Sequence, residues 1–143
     1  MTARASCCLA LLTAAACGTP TAADAGTAEE RGERYLVRRG CPECHRDPDS
    51  GAWSGRTEPL LGTQVYPSNL TPDPDAGIGG WSDDEIARAI RDGFSPGLVP
   101  LCGQMARFDR MSDDEVLAII AILRAQPASP RRVPASHCPP IKQ

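Results

Sequence analysis

Cys41-Pro42-Glu43-Cys44-His45 is the stretch on which the reading of this chain turns. Two thiols three positions apart, followed at once by a histidine, form the attachment signature of c-type haem. The spacing has a chemical reason. Each thiol can add to one vinyl group of the tetrapyrrole, and the backbone then carries the next side chain under the iron. Cys41 and Cys44 are thus the expected covalent sites, and His45 the expected proximal ligand. A redox dithiol or half of a zinc site also uses C-x-x-C, but neither needs the adjoining histidine.

The rest of the composition fits a domain that packs around such a group. Of 143 residues only six are aromatic, two each of Phe, Tyr and Trp. A small domain buries a limited share of its surface and often needs a covalent or metal staple. A covalently held haem would supply a large flat apolar face. The formal charge is −3, with a single lysine, Lys142. No basic block of five or more residues exists, so nothing points to nucleic acid.

The N-terminus reads as an export signal over 1–16. Arg4 gives a short positive region, and Cys7 to Ala16 is uncharged and apolar but too short to span a bilayer. Ala14-Ala15-Ala16-Cys17 is similar to a lipoprotein signal, which would make Cys17 the acylated first residue. It lacks the usual leucine three positions before the cysteine. The alternative is cleavage after Ala23-Asp24-Ala25. Both routes lead to an oxidising periplasmic or cell-envelope compartment, with a lipid on Cys17 as the one expected membrane contact.

The seven cysteines then divide cleanly. Cys7 and Cys8 leave with the leader, Cys17 takes a lipid, and Cys41 and Cys44 take haem. Cys102 and Cys138 remain, and spare thiols in an exported protein usually pair. Closing that loop would stabilise the fold by roughly 4 kcal/mol on the chain-entropy model. Two free buried thiols are the alternative.

Three helices can be read along the chain. Residues 17–27 form a flexible tether, and Thr27 with Glu30 makes a capping box that opens a helix to about Arg39, with Gly40 placed to stop it. Gly32 inside that helix makes sense if another helix crosses there, with Tyr35 beside it. Trp81-Ser82-Asp83-Asp84-Glu85-Ile86 and Met111-Ser112-Asp113-Asp114-Glu115-Val116 each read as hydrophobic staple, N-cap, acidic first turn and capping-box glutamate. The second helix is expected to end near Asp92 before Gly93, and the third near Ala125. Val116, Leu117, Ile119, Ile120 and Leu123 fall within one broad apolar face of the third helix. Between the haem motif and the second helix runs a long Pro/Gly-rich loop with no strand pattern. Such a loop in a compact domain is usually functional, here as a wrap around a haem edge.

A sixth iron ligand must come from elsewhere. Met111 precedes an N-cap and already has a stapling role, whereas Met105 sits in the loop Leu98-Val99-Pro100-Leu101-Cys102-Gly103-Gln104-Met105 with no periodic partner. Met105 is the expected distal ligand, with Met111, His137 or an open site as alternatives.

These residues together resemble a class I cytochrome c, a small monohaem protein, over roughly Ala28 to Pro127. Gly32 and Tyr35 match the first helix of that family, Cys41, Cys44 and His45 its haem site, and Met105 the distal ligand's place before the last helix. Tyr66-Pro67-Ser68-Asn69-Leu70-Thr71-Pro72-Asp73 followed by Gly77-Ile78-Gly79-Gly80-Trp81-Ser82-Asp83 is similar to cytochrome subunits that serve periplasmic dehydrogenases. In those relatives residues matching Asn69 and Trp81 lie near the haem propionates. Two departures stand out: Ala106 replaces the proline that often follows the methionine, and the chain carries one C-x-x-C-H where dehydrogenase subunits commonly carry several.

The resemblance implies an all-α fold over 28–127, a haem pocket that includes Tyr35, Asn69 and Trp81, and a tail over 128–143 pinned by the Cys102–Cys138 disulfide. It implies an electron carrier rather than an enzyme, holding one haem c and serving redox proteins such as dehydrogenase or oxidase components. A haem sensor or redox enzyme with an open distal site is the second reading. A zinc-binding module built from Cys41, Cys44, Cys102 and His137 or Cys138 is the third.

Overall fold

The computed structural model describes residues 26–138. The export signal over 1–16, Cys17, most of the tether and the end of the tail lie outside the described residues. Four helices form: α1 (Ala28–Arg38), α2 (Pro42–His45), α3 (Asp83–Asp92) and α4 (Asp113–Arg124). Each of the three longer ones opens with a complete capping box, on Thr27/Glu30, Ser82/Glu85 and Ser112/Glu115. In each box the cap hydroxyl accepts from the third backbone N–H while the glutamate reaches back to the cap's own N–H, so two orphan donors are satisfied at once.

The exit of α1 sets up the haem motif. Gly40 takes a left-handed φ of 73°. The Gly40 N–H then donates to Val37 (3.1 Å) and the Cys41 N–H to Leu36 (3.1 Å), the paired bonds of a Schellman turn. The chain reverses at once into the single turn of α2, whose first residue is Pro42, where a missing N–H costs nothing. A second left-handed glycine, Gly93 at φ 76°, ends α3.

Helices α1 and α4 cross at Gly32. A Cβ there would lie 2.0 Å from the Ala118 carbonyl oxygen and 2.6 Å from Ile122 Cγ2, so only glycine lets the backbones approach this closely. The crossing explains one departure from the periodic reading of α4. Val116, Ala118, Ile119, Ile120 and Leu123 are buried, whereas Leu117 is 56% exposed. Ala118 goes inward because α1 has no side chain at the contact, and Leu117 is turned away from it.

The fold is not purely helical, which corrects the all-α expectation. Phe94–Ser95 and Val99–Pro100 form an antiparallel two-stranded hairpin, with a 3-10 turn over Pro96–Leu98 between them. Two-residue strands carry too little alternation to register as a period, so nothing in the sequence separates them from loop.

The long loop is irregular but ordered by its own hydrogen bonds. The Gly55 N–H donates to His45 (3.1 Å), Leu70 to Trp53 (2.8 Å) and Ile78 to Thr71 (2.9 Å). Trp53, 2% exposed, is the loop's own core residue. Arg124, in the last turn of α4, donates to the carbonyls of Ile78 and Trp81 and pairs with Asp83, fastening the loop to the helix core. No helix among the described residues is long and apolar enough to cross a membrane.

Candidate haem site

A cavity of about 600 Å³ opens between the helices, the long loop and the tail. That is within the range of sites that take a small organic ligand, roughly 300–1,000 Å³. Cys41, Cys44, His45 and Met105 all line it. The first three come from α2 and its N-cap, where a single helical turn puts the thiols, at i and i+3, on one face. The N–H of His45 donates to the Cys41 carbonyl at 3.0 Å, which locks the turn.

His45 is oriented by the backbone. Its Nδ1 lies 2.9 Å from the Ser68 carbonyl oxygen. A carbonyl only accepts, so Nδ1 carries the proton and Nε2 keeps its lone pair for a metal. Burial holds the His45 pKa below the ordinary histidine value, opposed by the Ser68 bond. The side chain is therefore neutral near pH 7, the form that ligates iron.

The Cys41 thiol is pushed up to about 11, chiefly by burial and then by the Glu43 carboxylate. A redox dithiol needs the opposite, a depressed pKa that yields thiolate at neutral pH. Cys41 is therefore not tuned for thiol exchange.

Met105 is placed by a turn in which its N–H donates to the Cys102 carbonyl at 3.0 Å. Met111 also borders the cavity, but it is 5% exposed and belongs to the packed core. His137, the other alternative, is held elsewhere. Its Nδ1 lies 3.1 Å from Gln64 Oε1, its N–H donates to the Gln64 carbonyl, and it is not part of the cavity wall.

Trp81 and Asn69 line the cavity. Tyr35 is buried in the helical core and is not among the described residues that line it; its neighbour Leu36 is. The amide of Asn69 is fully engaged within the protein. Its Nδ2 donates to the carbonyls of Ser129 (2.8 Å) and Arg131 (3.1 Å), and its Oδ1 accepts from Thr71 N (2.9 Å) and Thr71 Oγ1 (2.8 Å). Asn69 therefore fastens the tail to the loop, with no amide hydrogen left for a propionate.

Cys102 and Cys138 form a disulfide with a Cα–Cα distance of 4.9 Å, and both border the cavity. Two thiols of the zinc reading are thereby taken up, and the described residues contain no cluster of three or more His, Cys, Asp or Glu suited to a metal ion. The donors that are present fit haem: two thiols on one face, a neutral imidazole with Nε2 free, and a thioether on the same mostly apolar cavity.

Sequence reasoning missed Ser68 and the polar ties of the tail to the long loop. The first acts through a carbonyl, which every residue owns. The second run through Ser129, Arg131 and Ser136, which follow no period. A dense Pro/Gly loop beside an aperiodic tail was the one available hint that the two pair.

No family model matches the chain. It is 42% identical over 76 residues to a diheme cytochrome c-type protein of Cereibacter sphaeroides, an overlap of 46% of this chain and 24% of that protein. The cytochrome c subunit of alcohol dehydrogenase (quinone) from Gluconobacter oxydans is 31% identical over 115 residues, 77% of this chain and 24% of its own length. The gluconate 2-dehydrogenase cytochrome c subunit of Pantoea cypripedii is 34% identical over 99 residues, 64% of this chain and 22% of its own length. The chain thus spans 24% or less of the length of these relatives. Over the aligned segments the chain is thus similar to cytochrome c proteins, among them cytochrome c subunits of dehydrogenases.

Proposed function

We propose that the chain is a monohaem c-type cytochrome that carries single electrons between exported redox proteins, among them a dehydrogenase component. The observation that carries this reading is the common cavity of Cys41, Cys44, His45 and Met105, with the His45 Nδ1–H already committed to the Ser68 carbonyl. Bound haem would supply a one-electron Fe(II)/Fe(III) couple, tuned by its axial ligands. Cys41 and Cys44 would anchor it, the His45 Nε2 and the Met105 sulfur would hold the iron, and the apolar walls would exclude water. With both side chains on the iron no position would be left for substrate, which makes the chain a carrier and not a catalyst. Export to the periplasm or cell envelope, with Cys17 as a lipid anchor, completes the reading.

Electron exchange needs an approach to the cavity by a second protein. Residues 93–106 carry no charge, and within them Leu98 and Val99 are 64% and 59% exposed. Leu98 also holds a left-handed φ of 61°, a conformation that costs a non-glycine residue about 1–3 kcal/mol. An uncharged apolar lip suits a transient docking complex of small area. Leu98→Asp is expected to slow electron transfer to the partner at least about tenfold, equivalent to roughly 1.4 kcal/mol, without altering the visible spectrum. An unchanged rate removes the lip from the docking surface.

The ligand assignment is tested by a pair of variants in the ferric protein. Met105→Ala is expected to abolish the weak near-infrared sulfur-to-iron charge-transfer band. It should also lower the potential by on the order of 0.1 V or more, within the roughly 0.8 V that axial ligation spans. Met111→Ala is expected to keep the band and to cost about 2–5 kcal/mol of stability as a core truncation. An exchange of the two phenotypes would make Met111 the ligand. Rapid carbon monoxide binding by the ferrous wild-type protein at neutral pH would favour the sensor or open-site reading instead.

A further inference from the structure

The tail between Ser129 and Cys138 is fastened to the long loop by polar ties along its length and to the distal loop by a single covalent bond. Along the long loop, the Ser129 N–H donates to Thr71 Oγ1 (3.0 Å), Asn69 holds the Ser129 and Arg131 carbonyls, and the Tyr66 N–H donates to Ser136 Oγ (2.8 Å). The His137 N–H donates to the Gln64 carbonyl (2.9 Å), and Arg131 pairs with Asp47, which is 1% exposed. That loop is the one whose Ser68 carbonyl orients His45.

The distal loop is held differently. Between Leu101 and Phe108 the described backbone hydrogen bonds to the rest of the fold are at its two ends, Leu101 to Gly93 and Phe108 to Ile90. The turn bond from Met105 to Cys102 is internal to it. At Cys102, beside its Leu101 end, the loop is joined to the tail by the Cys102–Cys138 bond.

We infer that the tail is a strap that couples the two axial-ligand loops, and that reduction of Cys102–Cys138 uncouples them and frees the distal side of the cavity. This rests on the reading of His45 and Met105 as ligands. The step is ordinary thiol–disulfide exchange. One thiolate of a dithiol attacks one sulfur of the pair, and its second thiol displaces the other. Two electrons and two protons end on Cys102 and Cys138, and the dithiol leaves as its disulfide. The tail stays on the long loop, since its hydrogen bonds and the Arg131–Asp47 pair are untouched. The released element is the Met105 loop. A small neutral ligand could then take the position that Met105 occupies in the oxidised protein.

The experiment uses the haem-loaded protein, with and without an excess of a small dithiol, and in parallel the Cys102→Ser/Cys138→Ser double variant. Alkylation with mass measurement establishes that two thiols per chain have been released. After alkylation the dithiol is removed and the iron is reoxidised with ferricyanide before the ferric near-infrared band is read; the rate of carbon monoxide binding to the ferrous form and the far-UV helical signal are followed on the same alkylated protein. Reduction and the double variant are both expected to weaken the band at least twofold and to speed carbon monoxide binding at least tenfold, with the helical signal unchanged. An unchanged band and rate after both thiols are alkylated overturns the strap. Loss of the helical signal along with the band also overturns it, because the bond would then be a general staple. Oxidised Met105→Ala separates the underlying reading: if that variant keeps the band, the ligand assignment has failed, whatever the dithiol does.

Discussion

Replacing Cys41 and Cys44 together by alanine is expected to leave a chain with no covalent haem and no stable core. Both thiols lie on one face of a single helical turn at the edge of a cavity of about 600 Å³, and no other free cysteine exists among the described residues. The walls of that cavity belong to all four helices, the hairpin, the long loop, the distal loop and the tail, so a group held at its centre would be what they pack against. Burial of ~250 Å², the upper end for one aromatic side chain, is worth about 6 kcal/mol at ~25 cal/mol per Å². A tetrapyrrole offers more than that, and the whole stability of a small domain is roughly 5–15 kcal/mol. Acid-acetone extraction of the double variant should remove all pigment, and its far-UV signal should fall toward that of an unfolded chain. Each single variant should keep pigment through one thioether. Pigment retained on the chain of the double variant would refute the attachment site.

Gly32→Ala is expected to lower stability by about 2 kcal/mol or more, although alanine is the better helix former by about 1 kcal/mol. The new methyl would stand 2.0 Å from a backbone oxygen of α4, so the two helices must separate. Overpacking of this kind costs about 3 kcal/mol, and the net loss should take roughly 10 °C from Tm in a domain of this size. Trimming Ala118 to glycine cannot relieve the clash, because the obstructing atom is its carbonyl. Thermal unfolding of the haem-loaded variant decides the matter: a Tm at or above that of the parent would mean that α1 and α4 do not meet there.

What could be read in advance was what local chemistry encodes. The three capping boxes lie within four residues each, and their helices appear where the boxes put them. Gly32 was legible because a helix-interior glycine is costly unless something needs the space. The thiols and histidine of α2 were legible because their spacing is the chemistry. What stayed hidden depends on partners distant in sequence. Leu117 and Ala118 differ in burial only because of where α1 lies. The bonds from Asn69 to Ser129 and Arg131 span about sixty residues, and no local pattern announces them. Ser68 contributes a carbonyl, and no residue type announces that.

The crossing of α1 and α4 has a consequence in time. Gly32 and Ala118 lie 86 positions apart, and bringing the ends of such a segment together costs about 4 kcal/mol of chain entropy. During synthesis from the N-terminus, α1 and the Cys41–His45 turn emerge long before α4, and the tail later still. The attachment turn therefore waits, unroofed, while the remaining chain arrives. In that interval neither α4 nor the tail covers it. Exposure of the two thiols comes first and enclosure afterwards, an order that follows from placing Cys41 and Cys44 early in the described residues and their cover late.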